Sequence, residues 1–510
     1  MHDNMNMDNP LYTVAQLRAI EQSAYAGLPP AGLSPGALMR RAGQAAAQYA
    51  LELLGDKRDL PVLLLAGPGN NGGDALEMAA TLAEAGVNAL VLHLPGQVDA
   101  SDETARAYAR ARSGTVGFID MLPPEGQWGL VVDGLFGIGL TRPLDAEYRE
   151  LVETVNRLAC PVLALDVPSG LDADTGAVVG PDGVAVRATH TITFLGDKPG
   201  LHTGDGRDYA GQVRVAGLDL EPRHLPAPAA WLCTPDVFAH RLAPRRHNTH
   251  KGSFGDVAIG GGAHGMAGAA VLAARGALYG GAGRVFVATL DPGPGYDSVQ
   301  PEIMFRPADD FDLAGRTLVI GPGMGGSASA MRLLARAIDS DSPLVIDADA
   351  LTLVGASPDL LARVAARSAA TVLTPHPLEA ARLLGMTAGA IQADRLAAAR
   401  EMAVRSKATV VLKGSGSVVA RPDGWVSINP TGNAGLATAG SGDVLAGICG
   451  ALLAQGWPAW EAAGGAAWIH GAAADLLVAH GIGPVGMTAG ELPAAARAVL
   501  NELVAESLRT

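Results

Sequence analysis

Two groups of residues in this 510-residue chain combine glycine turns with carboxylates, a pairing able to hold a bound anion and move a proton. The first opens at Gly67-Pro68-Gly69-Asn70-Asn71-Gly72-Gly73-Asp74, which carries G-x-G-x-x-G between an apolar run and a helical pattern. Glycines let backbone N–H groups approach a pyrophosphate, and a helix N-terminus favours its charge. Alone, the motif reads equally well as a tight strand-to-helix turn. Asp133 and Asp166 each end an apolar run. They are followed by Gly134-Leu135-Phe136-Gly137-Ile138-Gly139-Leu140-Thr141-Arg142-Pro143 and by Val167-Pro168-Ser169-Gly170. Ligands of open parallel sheets gather beyond the carboxyl ends of strands, so both aspartates are expected on the ligand edge. Two aspartates, an asparagine and a serine could hold a hard cation. An aspartate with a raised pKa could serve as general acid or base. For any one of them the alternative is a helix cap or a loop hydrogen bond. The run Ala89–Leu94 continues as Pro95-Gly96-Gln97, without the acid that holds a ribose in ordinary dehydrogenases. A dinucleotide bound here is therefore not expected to be a hydride carrier.

The second group centres on Asn429-Pro430-Thr431-Gly432-Asn433 and Ala437-Thr438-Ala439-Gly440-Ser441-Gly442-Asp443, before an apolar helix over Val444–Gln455. Gly-x-Gly-Asp at a helix start aims successive N–H groups at one spot and sets a carboxylate where an alcohol could lose its proton. Phosphoryl transfer to a hydroxyl needs both. Asp443 as a simple N-cap would leave the flanking glycines unexplained. No GxxxxGK[ST] occurs, which excludes a P-loop enzyme. Five more loops end strand-like runs: Gly260-Gly261-Gly262, Gly321-Pro322-Gly323-Met324-Gly325, Asp347-Ala348-Asp349-Ala350, Thr374-Pro375-His376-Pro377 and Lys413-Gly414-Ser415-Gly416-Ser417. One such loop is commonly a turn, and a lone His376 is more often structural; five on one sheet edge point to a ligand.

Continuous apolar strands alternating with helices must position these loops, and such a pattern means a parallel sheet covered on both faces. The first half shows Pro61–Ala66, Ala89–Leu94, Leu130–Asp133 and Pro161–Asp166, with a helix expected over Ala75–Ala85. The second shows Val257–Ile259, Val285–Ala288, Thr317–Ile320, Leu344–Asp347, Thr371–Thr374 and Thr409–Lys413, with a helix such as Met331–Asp339. Between them, Gly217–Pro235 holds neither period, and Pro222, Pro226, Pro228 and Pro235 break both. The expected class is α/β, two three-layer αβα domains divided near residue 226, at 1–226 and 227–510.

Composition narrows the partners. Net charge is −14, from 37 Lys+Arg against 51 Asp+Glu, which disfavours nucleic acid and suits a small molecule held by backbone amides. The three cysteines, Cys160, Cys233 and Cys449, are scattered, so free thiols in a reducing compartment are expected rather than disulfides or zinc. Met1–Pro10 has no signal-peptide pattern, and Ala462–Ala479, the most apolar late stretch, carries His470 and Asp475 and reads as a buried helix. A cytoplasmic protein without a membrane partner is expected.

GPGNNGGD, VDGLFGIGLTRP and LALDVPSGLDADTG, with Arg41-Ala42-Gly43, Thr191, Phe194 and Lys198, resemble the NAD(P)H-hydrate epimerase family over most of residues 11–217. That resemblance implies a Rossmann-like domain. Asn70, Asn71, Gly72, Gly73, Asp74 and the loop Gly137, Ile138, Gly139, Leu140, Thr141, Arg142, Pro143 would contact a hydrated nicotinamide dinucleotide. Asp166 would contact it and transfer a proton, and Asn71, Asp133 and Ser169 would bind a potassium ion. Ala75 stands where that family usually has Gly, and Gly134 where Ala is common. HKGSFG (His250–Gly255), PEIM, GPGMG, DADAL, TPHPLE, LKG and TGNAGLATAGSGDVLAG resemble the ADP-dependent NAD(P)H-hydrate dehydratase branch of the ribokinase-like fold over nearly all of residues 230–490. By that resemblance Ala269, Gly323, His376 and Asp443 contact the hydrated dinucleotide. Lys413, Gly414, Ser415, Gly416, Ser417 and Gly442 contact the adenine nucleotide. The co-substrate would be ADP, with Mg2+ left open as its companion. Leu378, Thr352 and Ala489-Gly490-Glu491-Leu492 depart from the branch's pattern.

Together the two resemblances imply repair of damaged cofactor: epimerisation of R and S hydrates, then ADP-driven dehydration of the S form, in a homo-oligomer. Two other readings stand beside it, an ATP-dependent vitamin-precursor kinase in the second half and a non-catalytic nucleotide-binding scaffold.

Overall fold

The computed structural model describes residues 9–25, 34–94, 101–123, 126–220, 225–291 and 295–509. Pro95–Gln97 and Pro222, used above, lie outside the described residues, as does most of Met1–Pro10. Contacts divide the chain into Asn9–Ala230 and Trp231–Thr510.

The first unit is built on seven parallel strands: β1 Val62–Ala66, β2 Ala89–His93, β3 Gly117–Ile119, β4 Leu130–Gly134, β5 Val162–Leu165, β6 His190–Phe194 and β7 Gln212–Ala216. Their order is β3-β2-β1-β4-β5-β6-β7. The first six follow the doubly wound dinucleotide-binding order, whose direction reverses between β1 and β4, so the crevice there is where a ligand belongs. Alternate residues of β1 enter different cores. Val62, Leu64 and Ala66 pack with the helices Ala37–Leu54 and Asn70–Glu84, while Leu63 and Leu65 pack with Val152 and Val155 of the helix Ala146–Val155. A strand buried on both faces needs an unbroken apolar run, which is what VLLLA supplies.

The helix after β1 starts at Asn70, five residues before the expected Ala75, so Asn70–Asp74 form its first turn rather than a loop. Close packing explains why two glycines are tolerated in that turn. A methyl on Gly72 would stand 1.9 Å from the Gly67 carbonyl oxygen, and one on Gly73 2.5 Å from Met39 Cε.

The second unit has β8 Ala230–Leu232, β9 Asp256–Gly261, β10 Arg284–Thr289, β11 Met304–Pro307, β12 Thr317–Ile320, β13 Leu344–Ile346, β14 Thr371–Leu373, β15 Thr409–Leu412, β16 Val418–Ala420 and β17 Val426–Ile428. The order β8-β17-β16-β15-β14-β13-β12-β9-β10-β11 is parallel except where β16 runs against β15 and β17. One face buries Val257, Val319, Val345, Val372 and Val411 against the helices Ala267–Tyr279, Ser441–Ala454 and Ala459–Ala479. The other carries helices such as Ala328–Ile338 and Arg395–Ser406. Both units are therefore three-layer α/β structures.

Ala267–Tyr279 and Ser441–Ala454 meet backbone to backbone. A methyl on Gly447 would stand 1.9 Å from the Ala273 carbonyl oxygen. Ala459–Ala479 is long and apolar enough to cross a membrane, yet it packs in this core with His470 buried. Cys160, Cys233 and Cys449 are free.

Candidate active sites

The carboxyl ends of β1, β4, β5 and β6 surround a cavity of about 400 Å³ in the first unit. Asn70, Asn71 and Asp74 reach it from the first helical turn, Gly137–Leu140 from the loop after β4, Asp166 from the end of β5, and Lys198 from beyond β6. The helix is capped by Gly69 with no side-chain bond to its first amides, which leaves them open to a ligand anion. Thr141, Arg142 and Pro143 are exposed beyond the cavity, and Gly72 and Gly73 are buried behind its wall.

Asp166 adopts φ 67°, a left-handed conformation uncommon outside glycine. Its Oδ1 is held at 2.8 Å by Lys198 Nζ and at 3.4 Å by the Phe194 amide. Lys198 is fully buried. Its ammonium also donates to Thr193 Oγ1 at 2.5 Å and to the Phe194 and Gly196 carbonyls at 3.3 and 3.2 Å. A buried cation so fully bonded fixes one carboxylate oxygen of Asp166 and leaves the other for a ligand. Around it the field is acidic. Burial, then the charges of Asp166, Glu21, Glu103 and Glu77, push the Asp74 carboxyl well above its ordinary value, and burial with Glu103 and Asp166 raises Glu21 against the pull of Arg18.

Asp133 does not face the cavity with Asp166. It is fully buried, and its Oδ1 accepts the Ser169 hydroxyl at 2.6 Å while Oδ2 accepts the Ser169 amide at 2.8 Å. Burial lifts its pKa to about 6 in spite of those bonds and the Leu135 amide. Ser169 Oγ in turn sits 2.8 Å from the Phe136 amide. Asn71 is buried, yet neither amide atom has a partner, and its Cγ lies 3.4 Å from where a methyl on Gly137 would stand. The orphaned amide oxygen of Asn71 is a neutral hard donor, of the type a cation of low charge takes. No cluster of three His, Cys, Asp or Glu occurs among the described residues.

In the second unit the five loops follow β9, β12, β13, β14 and β15, and the Gly440–Asp443 turn approaches the last of them at Lys413. Gly440, at φ 89°, is the N-cap of Ser441–Ala454 and makes no side-chain cap; Asp443 stands inside the first turn. The N-cap alternative for Asp443 thus fails, because the position belongs to Gly440. Burial, then Asp347, lifts the Asp443 carboxyl to about 7, with Lys413 pulling down and Asp349 and Glu379 pushing up. Near neutrality such a group both takes and returns protons.

Lys413 Nζ is ion-paired with Asp347 Oδ1 at 2.7 Å. The next residue, Gly414, turns at φ 140° over the buried guanidinium of Arg395, which donates to the Leu412 and Lys413 carbonyls at 3.2 and 3.3 Å. Ser417 Oγ closes the loop on the Gly414 carbonyl at 3.2 Å, and Ser415 is exposed while Gly416 is buried. A methyl on Gly442 would stand 3.2 Å from Lys413 Nζ, so this loop and the anion-binding turn touch. Gly323, at φ 57°, lies against Ala269, where an added methyl would be 3.1 Å from the Ala269 Cβ. His376 caps the helix Pro377–Leu384 through Nδ1, with Nε2 3.1 Å from Glu379 Oε1 and the ring 44% exposed. Its structural and ligand-facing roles are compatible.

Among the departures, Leu378 is exposed, Thr352 Oγ1 accepts from Arg382 at 3.0 Å, and Glu491 Oε2 accepts the Thr488 amide at 2.8 Å. HKGSFG precedes β9, at the end of the strand opposite the glycine loops, and its His250 caps the turn Lys251–Phe254.

Sequence reasoning did not single out Glu21, Glu103 or Arg395; it named Lys198 only within the epimerase resemblance and Asp347 only within a strand-end loop, without a role for either side chain. Lys198 was within reach, because β6 is another strand ending on the ligand edge, but its half-polar HTITF lacks the apolar run used to find the others.

Residues 35–200 match the family model described as YjeF-related protein N-terminus, and residues 257–495 the one described as NAD(P)H-hydrate dehydratase. The bifunctional NAD(P)H-hydrate repair enzyme of Coxiella burnetii is 36% identical over 80% of this chain and 82% of its own. That of Escherichia coli is 35% identical over 76% of this chain and 74% of its own. A solved ADP/ATP-dependent NAD(P)H-hydrate dehydratase from Bacillus subtilis, co-crystallised with ATP/Mg2+, covers 53% of this chain and 98% of its own at 29% identity and TM-score 0.47. The chain belongs to the family of bifunctional NAD(P)H-hydrate repair enzymes.

Proposed function

We propose that the first unit interconverts the R and S forms of hydrated NADH or NADPH, and that the second dehydrates the S form with ADP, releasing AMP and phosphate. Inverting a hydroxyl-bearing carbon requires a bond at that carbon to break and re-form while a proton is taken and returned. Asp166, locked by Lys198 with one oxygen free, suits that transfer, and the open first turn at Asn70 suits the pyrophosphate. The unpartnered Asn71 amide, with Asp133 and Ser169, would hold potassium, which supplies a fixed positive charge near the ligand.

In the second unit Asp443 takes the proton of the substrate hydroxyl, and the amides at Gly440–Asp443 steady the phosphoryl group transferred from ADP. Phosphate then leaves with its C–O electrons, a proton leaves the neighbouring carbon, and the ring double bond returns. Water and ADP are thereby converted to phosphate and AMP, so no phosphorylated dinucleotide accumulates. Ala269, Gly323 and His376 border the dinucleotide side and Lys413–Ser417 with Gly442 the nucleotide side, where Mg2+ would accompany the phosphates.

The observation that carries the reading is Asp443: a carboxyl with a pKa of about 7, set inside a helix turn whose cap is a glycine. The test incubates purified protein with mixed R and S hydrates and ADP. Full conversion to reduced cofactor requires both activities. Stopping once the S form is consumed means an inactive first unit, and a preference for ATP with retention of a phosphorylated product favours the kinase reading.

A further inference from the structure

We propose that Asp347, which touches no ligand in the scheme above, is a positioning residue of the second site: it presses the Lys413 ammonium against the first turn at Gly442 and so sets both the basicity of Asp443 and the positive charge facing the transferred phosphoryl group. The inference rests on the reading of Asp443 as the base.

Asp347 sits where several strand ends converge. Its Oδ1 accepts Lys413 Nζ from the end of β15 at 2.7 Å and Thr374 Oγ1 from the end of β14 at 2.8 Å. Its amide donates to the Ile320 carbonyl at the end of β12 at 3.0 Å. Its own carbonyl crowds Gly321, where a methyl would stand 1.8 Å away. The residue is 1% exposed, and Lys413 and Thr374 supply the partners its buried carboxylate needs. Lys413 Nζ in turn occupies the space a side chain at residue 442 would need, 3.2 Å from that methyl position. Gly442 is thus glycine for two reasons: its amide must reach an anion, and an ammonium must pass beneath it.

Asp347, Asp349 and Glu379 oppose the ionisation of Asp443 and Lys413 favours it. Asp349 Oδ2 is engaged by the Gly325 amide at 2.8 Å, and Glu379 by His376. His470, packed at the Ser441 backbone, is pushed to about 4 by burial and stays neutral. Asp347 and Lys413 therefore act on the base with opposite signs.

The test measures kcat for ADP-driven dehydration against pH in the full chain carrying Asp347→Asn, Lys413→Met, Lys413→Arg or Asp443→Asn. Activity should rise with pH as Asp443 ionises. Asp347→Asn keeps an oxygen for Lys413 but removes a negative charge, so its inflection moves down by about 1 pH unit. Lys413→Met removes the positive charge, so its inflection moves up by a similar amount, with kcat lowered even at high pH. Lys413→Arg restores the wild-type inflection. Either charge-removing variant tests its sign alone should the other fail to fold, and the thermal melt of nucleotide-free protein reports folding of the second unit. Shifts in the same direction, or none, overturn the role of Asp347. Full activity in Asp443→Asn instead overturns the base on which it rests.

Discussion

Ala75 and Gly134 face each other across the first helical turn: a methyl on Gly134 would stand 2.5 Å from the Ala75 Cβ. The two departures of the first half from the usual family pattern are thus one exchange, with the methyl carried by the helix instead of the strand end. Either arrangement fills the gap between β4 and the helix that presents Asn71; two methyls cannot share it. Gly134→Ala alone should cost about 1–3 kcal/mol by overpacking and lower epimerisation by displacing Asn71, whose carbonyl oxygen lies 3.1 Å from the added methyl. Ala75→Gly combined with Gly134→Ala should recover most of that loss. Thermal melts and epimerase rates of the two variants check this, and a double variant no better than the single one would refute the exchange.

The Asp166–Lys198 pair gives a second expectation. Asp166→Asn preserves shape but removes the group that moves the proton, so epimerisation should fall by about 10²–10⁴-fold. Dehydration of pure S hydrate should be unchanged, since Asp443 lies in the other unit. Separate assays with R and S hydrates distinguish the two outcomes, and an equal loss in both would indicate general misfolding.

Potassium dependence should belong to the first unit alone. Asn71→Ala removes the unpartnered amide oxygen and should raise the potassium concentration needed for half-maximal epimerisation, with no effect on the ADP-dependent step. Titrating potassium chloride against choline chloride at constant ionic strength separates a bound ion from charge screening.

Much of this arrangement was legible because buried parallel strands write themselves as unbroken apolar runs. Once VLLLA, LVVD and PVLALD are seen, Asp133 and Asp166 fall at strand ends by counting. What failed to show was side-chain direction. Asp133 lies within β4 opposite Ala164 and turns inward to Ser169, whereas Asp166 stands just beyond β5, with a left-handed backbone, and reaches the cavity. Asp347 was visible in DADAL but its partner was not, because Lys413 lies 66 residues later and only the sheet order joins them. The start of the helix at Asn70 was obscured by Gly72 and Gly73. Their low helix propensity is outweighed by how closely the chain passes Gly67 and Met39.

Asp443 should also tax the fold it serves. Its carboxyl is held at about 7 in the native state against 3.8 as the ordinary value, chiefly by burial. A raised pKa means the native state binds the proton more tightly than the unfolded chain. Its contribution is therefore complete below about pH 4 and is lost as the solution passes from there to about pH 7. Asp443→Asn removes the ionisable group and keeps the shape. In nucleotide-free protein the second unit of this variant should melt above wild type at about pH 8, with the gap narrowing towards about pH 5, while ADP-dependent dehydration is lost. Calorimetry across that range checks the slope. A gap independent of pH would assign the stabilisation to hydrogen bonding rather than to relief of a buried charge, and a lower melting temperature at high pH would mean that the carboxylate is a stabilising partner of Lys413 and not a base kept near its protonation midpoint.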